Sequence, residues 1–195
     1  ALRQTDPAAR ERQLHAAMAS VDRSNHLVDQ LLTLARIDQV SAFQHDAVDL
    51  PALVAGVVDE LALQRQRRGV DVAVDTAPCR VSGWPFGLAV LVRNLVANAL
   101  EHAPAGSAVQ VGWRAEAGVV ELLVDDAGPG IAPESRAEAL KPFTRLDRSR
   151  DPNRGGGVGL GLSIAADVAL SHGGTLSLSQ SERLGGLRAD LVIAR

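Results

Sequence analysis

Three polar side chains recur along one line of an otherwise apolar stretch. In the run "LAVLVRNLVANALEHAP", Asn94 and Asn98 stand four residues apart and His102 continues the spacing. On a helix, this spacing puts all three on one face, each a turn beyond the last. Leu88, Leu91, Val92, Leu95, Val96, Ala99 and Leu100 cover most of the remaining surface. A helix so apolar is expected to be buried, with its polar strip turned toward a ligand or a partner.

Two glycine-bearing segments follow. "VELLVDD" runs directly into "AGPGIAP", so that Asp126, Gly128, Gly130 and Ile131 form a D-x-G-x-G-I sequence at the end of a strand. The glycines let backbone approach a flat ligand closely, and a carboxylate at a strand end can accept a hydrogen bond from an amino group. Alone, this motif is better explained as an ordinary Gly-Pro turn. The second segment, "NRGGGVGLGLSIAADVALSHGG", places glycines at 155, 156, 157, 159 and 161 before a good helix. Amides at a helix start, unobstructed by side chains, suit a phosphate. No Gly-Lys-Ser/Thr follows and no strand precedes, which excludes a Walker loop and the dinucleotide fingerprint. Between the two lies "PFTRLDRSRDPNR", with Arg145, Arg148, Arg150 and Arg154 close together. Such a run is often only a solvated basic loop, but on a Gly-flanked segment arginines can fold over a polyphosphate. Phe143 has no place in a purely solvated loop, and with Leu146 it is the expected anchor of a loose lid over roughly residues 133–158 that has little else to bury.

These residues need a scaffold, and the rest of the chain reads as one. "LPALVAGVVDELALQRQRRG" predicts one amphipathic helix stopped by Gly69, and "VDVAVD" a half-buried strand. A short strand near "CRVSG" precedes the two-asparagine helix. "AVQVGWRAEAGVVELLVDD" predicts a hairpin turning at residues 116–118. The helix "GLSIAADVALSH" and the strands "GTLSLSQS" and "GLRADLVIAR" close the chain. The resulting fold class is α+β: a two-layer sandwich of a mixed, largely antiparallel sheet covered by about three helices. Upstream, Asp6 and Pro7 open a long helix in which Leu14, Met18, Val21, Asn25, Val28, Leu32 and Ala35 alternate in four-three spacing, as in a helix-pairing seam. "QVSAFQHDAVD" reads as the linker between that helix and the rest.

Bulk composition narrows the function. With 195 residues and 46% hydrophobic residues, the chain can bury a core. A net charge of −3 argues against sequence-independent nucleic-acid binding. One cysteine, Cys79, rules out an internal disulfide. No apolar run approaches the roughly 20 residues of a membrane span. The opening "ALRQTDPAARER" lacks an initiator Met and reads as a cut within a longer protein.

Taken in order, "NLVANALEH", "DDAGPGI", "PFTRLDRSR" and "GGGVGLGLSIA" resemble the N, G1, F and G2 boxes of the sensor histidine kinases. This nucleotide domain belongs to a superfamily shared with type II topoisomerases, mismatch-repair ATPases and one class of heat-shock chaperone. The resemblance covers roughly residues 45–195. "HLVDQLLTLARID" resembles the second helix of that family's dimerisation domain. The implied division is residues 1–40 as that helix, its phosphoacceptor partner missing, and 41–195 as an ATP-binding catalytic domain.

The resemblance implies ATP and Mg²⁺ as ligands. Asn98 would coordinate the metal, and Asn94 would help hold metal and phosphates. His102 would lie near the phosphates and Asp126 would accept the adenine amino hydrogen. Gly128, Gly130, Ile131 and Phe143 fall in the base-binding and lid segments. Arg145 and Arg150 match arginines that reach the γ-phosphate, and together with Asn94 form the catalytic set. Gly157, Gly159, Gly161 and the amides of Leu160 and Leu162 would hold the phosphates at the helix start. The implied partners are the parent's phosphoacceptor domain, a response regulator reached through the parent, and a second copy through the N-terminal helix. The implied place is the cytoplasmic portion of an inner-membrane bacterial sensor.

Three positions depart from the family. Glu101 stands where Lys or Arg is common, and Trp84 where Asp is common. The H-E/D-L-R-T-P acceptor motif is absent, and His15 and His26, without an adjacent acid or Pro, read as structural. The implied function is therefore transfer of the γ-phosphoryl to a histidine outside these residues. The alternatives are an anti-sigma-type serine kinase or regulatory module, and a mechanical ATPase. The latter would need a Glu one turn before Asn94, where Val90 and Arg93 stand.

Overall fold

A computed structural model describes residues 46–145 and 159–194. The N-terminal helix with its seam, and residues 146–158 with Arg148, Arg150, Arg154 and Gly157, lie outside the described residues.

The described elements run β1 (Asp46–Asp49), α1 (Leu50–Glu60), α2 (Ala62–Arg68), β2 (Asp71–Val74), β3 (Arg80–Gly83), α3 (Pro85–His102), β4 (Ala108–Glu116), β5 (Val119–Asp125), α4 (Pro133–Ala139), α5 (Gly161–Ser171), β6 (Thr175–Gln180) and β7 (Leu187–Ala194). Five strands form one sheet in the order β2-β4-β5-β7-β6. Only β2–β4 is parallel; the other pairings are antiparallel. The α+β class with a mixed sheet under helices is as expected.

Alternation puts the sheet's inner face together. Val109, Val111 and Trp113 of β4, Val120, Leu122 and Val124 of β5, and Leu187, Ala189, Leu191 and Ile193 of β7 are all buried. Against them pack the apolar faces of α1, α3 and α5, including Val54, Leu91, Leu95, Leu100, Ile164 and Val168. The hairpin turns through Ala117 and Gly118, both at positive φ (47° and 83°), the pattern that matches strand twist.

Three local expectations are corrected. The helix expected over 50–69 breaks at Leu61 (φ −87°, ψ 6°), whose side chain stays buried. The break aims α2 along α3, where Gln64 Nε2 donates to the Ala97 carbonyl at 3.4 Å. Gly69 does end α2, in the left-handed conformation at φ 62°. The linker expected over 39–49 ends in a strand instead: β1 pairs antiparallel with β3, setting buried Val48 opposite buried Val81. Four residues are too short for alternation to be read. Finally, Pro133 opens a helix rather than a loose lid. Pro suits a first helical turn, Glu134 sits in that turn, and Ala139 is buried.

Candidate functional site

The polar strip of α3 meets the start of α5. Asn94 is 8% exposed within the apolar helix, and its Nδ2 donates to the Val90 carbonyl at 2.9 Å. That bond turns Oδ1 toward α5, where a Cβ on Gly161 would lie 3.1 Å from it. Gly161 is the first residue of α5, and Leu160 before it caps without a side-chain bond. The opening amides of an 11-residue helix therefore emerge beside Asn94, free of Cβ atoms at Gly161 and Gly159. Asn98 is half-buried one turn further along α3, and His102 is exposed at its last turn.

Asp126 stands immediately after β5. It is 3% exposed, and its Oδ1 accepts the amides of Gly128 (2.7 Å) and Leu187 (3.0 Å). Burial pushes the carboxyl above the usual Asp range, against the two amide bonds and the nearby His102, which pull it down. Among the described residues both hydrogen bonds of its side chain fall on Oδ1. Gly128 is packed so that a Cβ would lie 2.9 Å from the His102 carbonyl, joining the Asp126 turn to the end of α3. Gly130 adopts φ 70°, and half-buried Ile131 packs on the core, its carbonyl accepting from Arg136 Nε at 3.0 Å.

Gly159 (φ 78°) lies against the Phe143–Thr144 backbone, with a Cβ position 2.5 Å from the Thr144 carbonyl. The two chain segments flanking residues 146–158 thus meet beside the helix start. Leu160 is buried and Leu162 half-buried in the core. Arg145 is exposed at the edge of this junction. Phe143 departs from expectation: it is 68% exposed at φ 61° and does not anchor its segment to the domain body.

The structure therefore brings together Asn94, Asn98, His102, Asp126, Gly128, Gly130, Gly159, Gly161 and the backbone of Leu160 and Leu162. Arg150 and Gly157 lie outside the described residues. Sequence reasoning missed the supports of Asp126. A Cβ on Gly186 would collide with the Asp126 carboxylate and with the Gly128 amide, and the Leu187 amide fixes the carboxylate's orientation. Next to it, Arg188 grips Asp125 through Nε–Oδ1 (2.8 Å) and a second bond to Oδ2 (3.0 Å). The Gly185–Gly186 pair opening the last strand was the available signal.

Among the described residues, no cluster of three or more His, Cys, Asp or Glu could hold a metal by itself. No described helix is long and apolar enough to cross a membrane.

Comparison with known proteins agrees with this geometry. Residues 85–193 match the family described as histidine kinase-, DNA gyrase B-, and HSP90-like ATPase. Across 100% of its length the chain is 35% identical to sensor protein kinase PmrB of Pseudomonas aeruginosa, covering 40% of that protein. It is 36% identical to sensor protein QseC of Salmonella typhi, over 94% of this chain and 40% of the relative. The chain thus spans 40% of the length of these curated relatives. The solved structure of a mycobacterial sensor histidine kinase, MprB, aligns with a TM-score of 0.67 at 29% identity, covering 77% of this chain and 97% of that one. With the Asn strip, the Asp126 turn and the glycine-opened α5 assembled along one helix, the chain belongs to the histidine kinase-, DNA gyrase B- and HSP90-like ATPase family, and the proteins it resembles over most of its length are sensor kinases.

Proposed function

We propose that Mg·ATP binds between α3, the Asp126 turn and the start of α5, and that its γ-phosphoryl passes to a histidine of the parent kinase outside these residues. The observation that carries this reading is the approach of Gly161 to Asn94, which sets helix-start amides beside an amide oxygen. One end of the space then suits phosphates, and the buried Asp126 carboxylate at the other suits an exocyclic amino group.

The donor set fits Mg²⁺. Amide oxygens of Asn98 and Asn94 are hard ligands, and Mg²⁺ is commonly held by one or two protein groups plus phosphate oxygens and water. When bound, the ion would neutralise charge on the phosphates. Gly128 and Gly130, packed against the His102 carbonyl and Gly186, would set the turn's backbone beside the base near Ile131, and His102 would lie near the phosphates. Gly157, Gly159 and Gly161, with the Leu160 and Leu162 amides, would hold the β-phosphate side. Arg145 and Arg150 would meet the γ-phosphate from the segment that carries Phe143. In the transfer, the bond from the γ-phosphorus to the bridging oxygen breaks, a phosphorus–nitrogen bond to imidazole forms, and ADP leaves. The chain's contribution is positioning and charge neutralisation.

Residues 1–40 would pair with the parent's phosphoacceptor helix, and a response regulator would accept the phosphoryl from the parent. The parent would be an inner-membrane bacterial sensor with this portion in the cytoplasm.

The test is complementation in trans. With γ-labelled ATP the chain alone should acquire no acid-labile, base-stable phosphate. Added to full-length parent kinase whose own nucleotide site is inactivated, it should label the parent's histidine. Label on His15 or His26, or on a parent serine, would overturn the reading.

A further inference from the structure

The far end of the α3–α5 pair, away from the proposed nucleotide space, is closed by a histidine clasp. His172, 9% exposed at the end of α5, accepts the Trp84 amide on Nε2 at 3.0 Å, while its Nδ1 lies 2.8 Å from the Val168 carbonyl. A Cβ on Gly83 would lie 2.8 Å from the same ring, so the step from β3 into α3 is pressed against α5. This fixes the backbone from which Trp84 and Phe86 project. Their rings pair at 5.4 Å between centroids and 47°. Phe86 is nevertheless 46% exposed, and Leu170, two residues before the clasp, is 65% exposed. An apolar surface is thus presented at one end of the domain by a rigid support.

The sheet register says what arrives there. β1 runs antiparallel to β3 with Asp46 opposite Gly83. Continuation of that pairing by one residue upstream of Asp46 would fall opposite Trp84. In residues 1–83 the single Phe, Tyr or Trp is Phe43, three residues before Asp46 and flanked by small and polar residues in "SAFQH". Three extended residues span about 10 Å, which brings Phe43 within reach of the pair.

We propose that the Trp84–Phe86 pair is the seat of the segment preceding β1, with Phe43 as its anchoring side chain. The contact fixes the direction in which residues 1–42 leave the nucleotide domain. A tethered ring arrives at an effective concentration on the order of millimolar without further cost of association. A second copy, by contrast, would have to build a stable interface of about 1,000 Å² or more around two rings and a leucine. The proposal is independent of the nucleotide reading.

Trp84 reports on it directly. Trp113 is buried, so subtracting the emission of Trp84→Phe from that of the unaltered chain isolates Trp84. Phe43→Ala should red-shift that emission and raise its quenching by iodide about twofold, while Phe43→Leu should restore most of the protection. Chymotryptic cleavage after Phe43 gives a second reading that needs no change at Phe43. It should be slow in the unaltered chain and roughly tenfold faster in Phe86→Ala. Quenching unchanged in Phe43→Ala, or cleavage unchanged in Phe86→Ala, overturns the proposal. So does protection of Trp84 that appears only as concentration rises and the mass doubles, which would assign the seat to a second copy.

Discussion

Gly186 lies against Asp126 so closely that no side chain fits between them. A Cβ there would meet the carboxylate Oδ1, the Asp126 carbonyl at 2.5 Å and the Gly128 amide at 2.5 Å, two of which are backbone and cannot swing aside. Gly186→Ala should therefore displace the turn that aims the carboxylate. We expect a loss of about 1–3 kcal/mol of stability together with weaker adenine-nucleotide binding. Thermal melts and titration with a fluorescent ATP analogue measure both. Retained affinity would separate Asp126 from base recognition.

Asp126 itself predicts a pH dependence. Its carboxyl is raised by burial, so the folded state disfavours the charged form. For a raised acid the stabilising contribution is complete below the unfolded pKa and is lost as pH rises through the folded one. Ionised Asp126 thus costs stability at neutral pH, in exchange for an acceptor. Asp126→Asn keeps an oxygen for the Gly128 and Leu187 amides but turns a donor toward the ligand's amino group. It should melt at or above the unaltered chain while losing roughly 1.5–3 kcal/mol of ATP affinity. In the unaltered chain, ATP affinity should fall with pH already above the ordinary Asp range. Calorimetric titration across that window decides it; a flat profile would mean that Asp126 is not the acceptor.

The elements that sequence made legible are those with long periodic patterns. The α3 face from Leu88 to Leu100 and the alternation of β4, β5 and β7 were readable because burial repeats over many residues. The site was readable where chemistry is concentrated in motifs: Asn94 and Asn98, Asp126 with its glycines, and Gly159 with Gly161. What stayed hidden depends on contacts between distant segments. Gly186 supports Asp126 from 60 residues away, and the Leu187 amide bonds it across a separation of 61. β1 is a strand only because Val48 finds Val81, and His172 matters only because Trp84 arrives beside it. The helix α4 was obscured by its setting, a Pro- and Arg-rich segment whose first seven residues have good helical composition.

The Asp125–Arg188 pair should be a stability determinant. Its side chains are 6% and 20% exposed, and the two bonds form a fork between β5 and β7, where the residues are register partners. Arg188→Ala leaves a buried carboxylate unpaired beside Asp126, which should cost about 2–4 kcal/mol. The double variant Asp125→Asn with Arg188→Gln should recover part of the loss, because it leaves no lone buried charge. Urea denaturation of the singles and the double measures the coupling. Additive losses would show that the pair does not act as a unit.

Glu101 offers the clearest test of electrostatics around the phosphates. It follows Asn98 by three residues on α3, so its carboxylate projects near the same face. Arg68 on α2 stands 3.9 Å away, with side-chain exposures of 42% and 27% for the Arg and the Glu. So exposed and long a pair contributes little to folding, and breaking it should leave the melting temperature nearly unchanged. Its influence on an approaching polyphosphate is larger in proportion, because a negative charge there opposes three phosphates at once. Glu101→Lys should therefore tighten ATP roughly three- to tenfold at low salt, and most of the gain should vanish near 0.5 M salt as screening shortens the reach of the charge. Arg68→Ala, which leaves Glu101 uncompensated, should weaken ATP in the same salt-dependent way. Because ADP carries less charge, both effects should be smaller for it than for ATP. Equal changes for the two nucleotides, or changes that survive high salt, would place Glu101 outside the field of the phosphates.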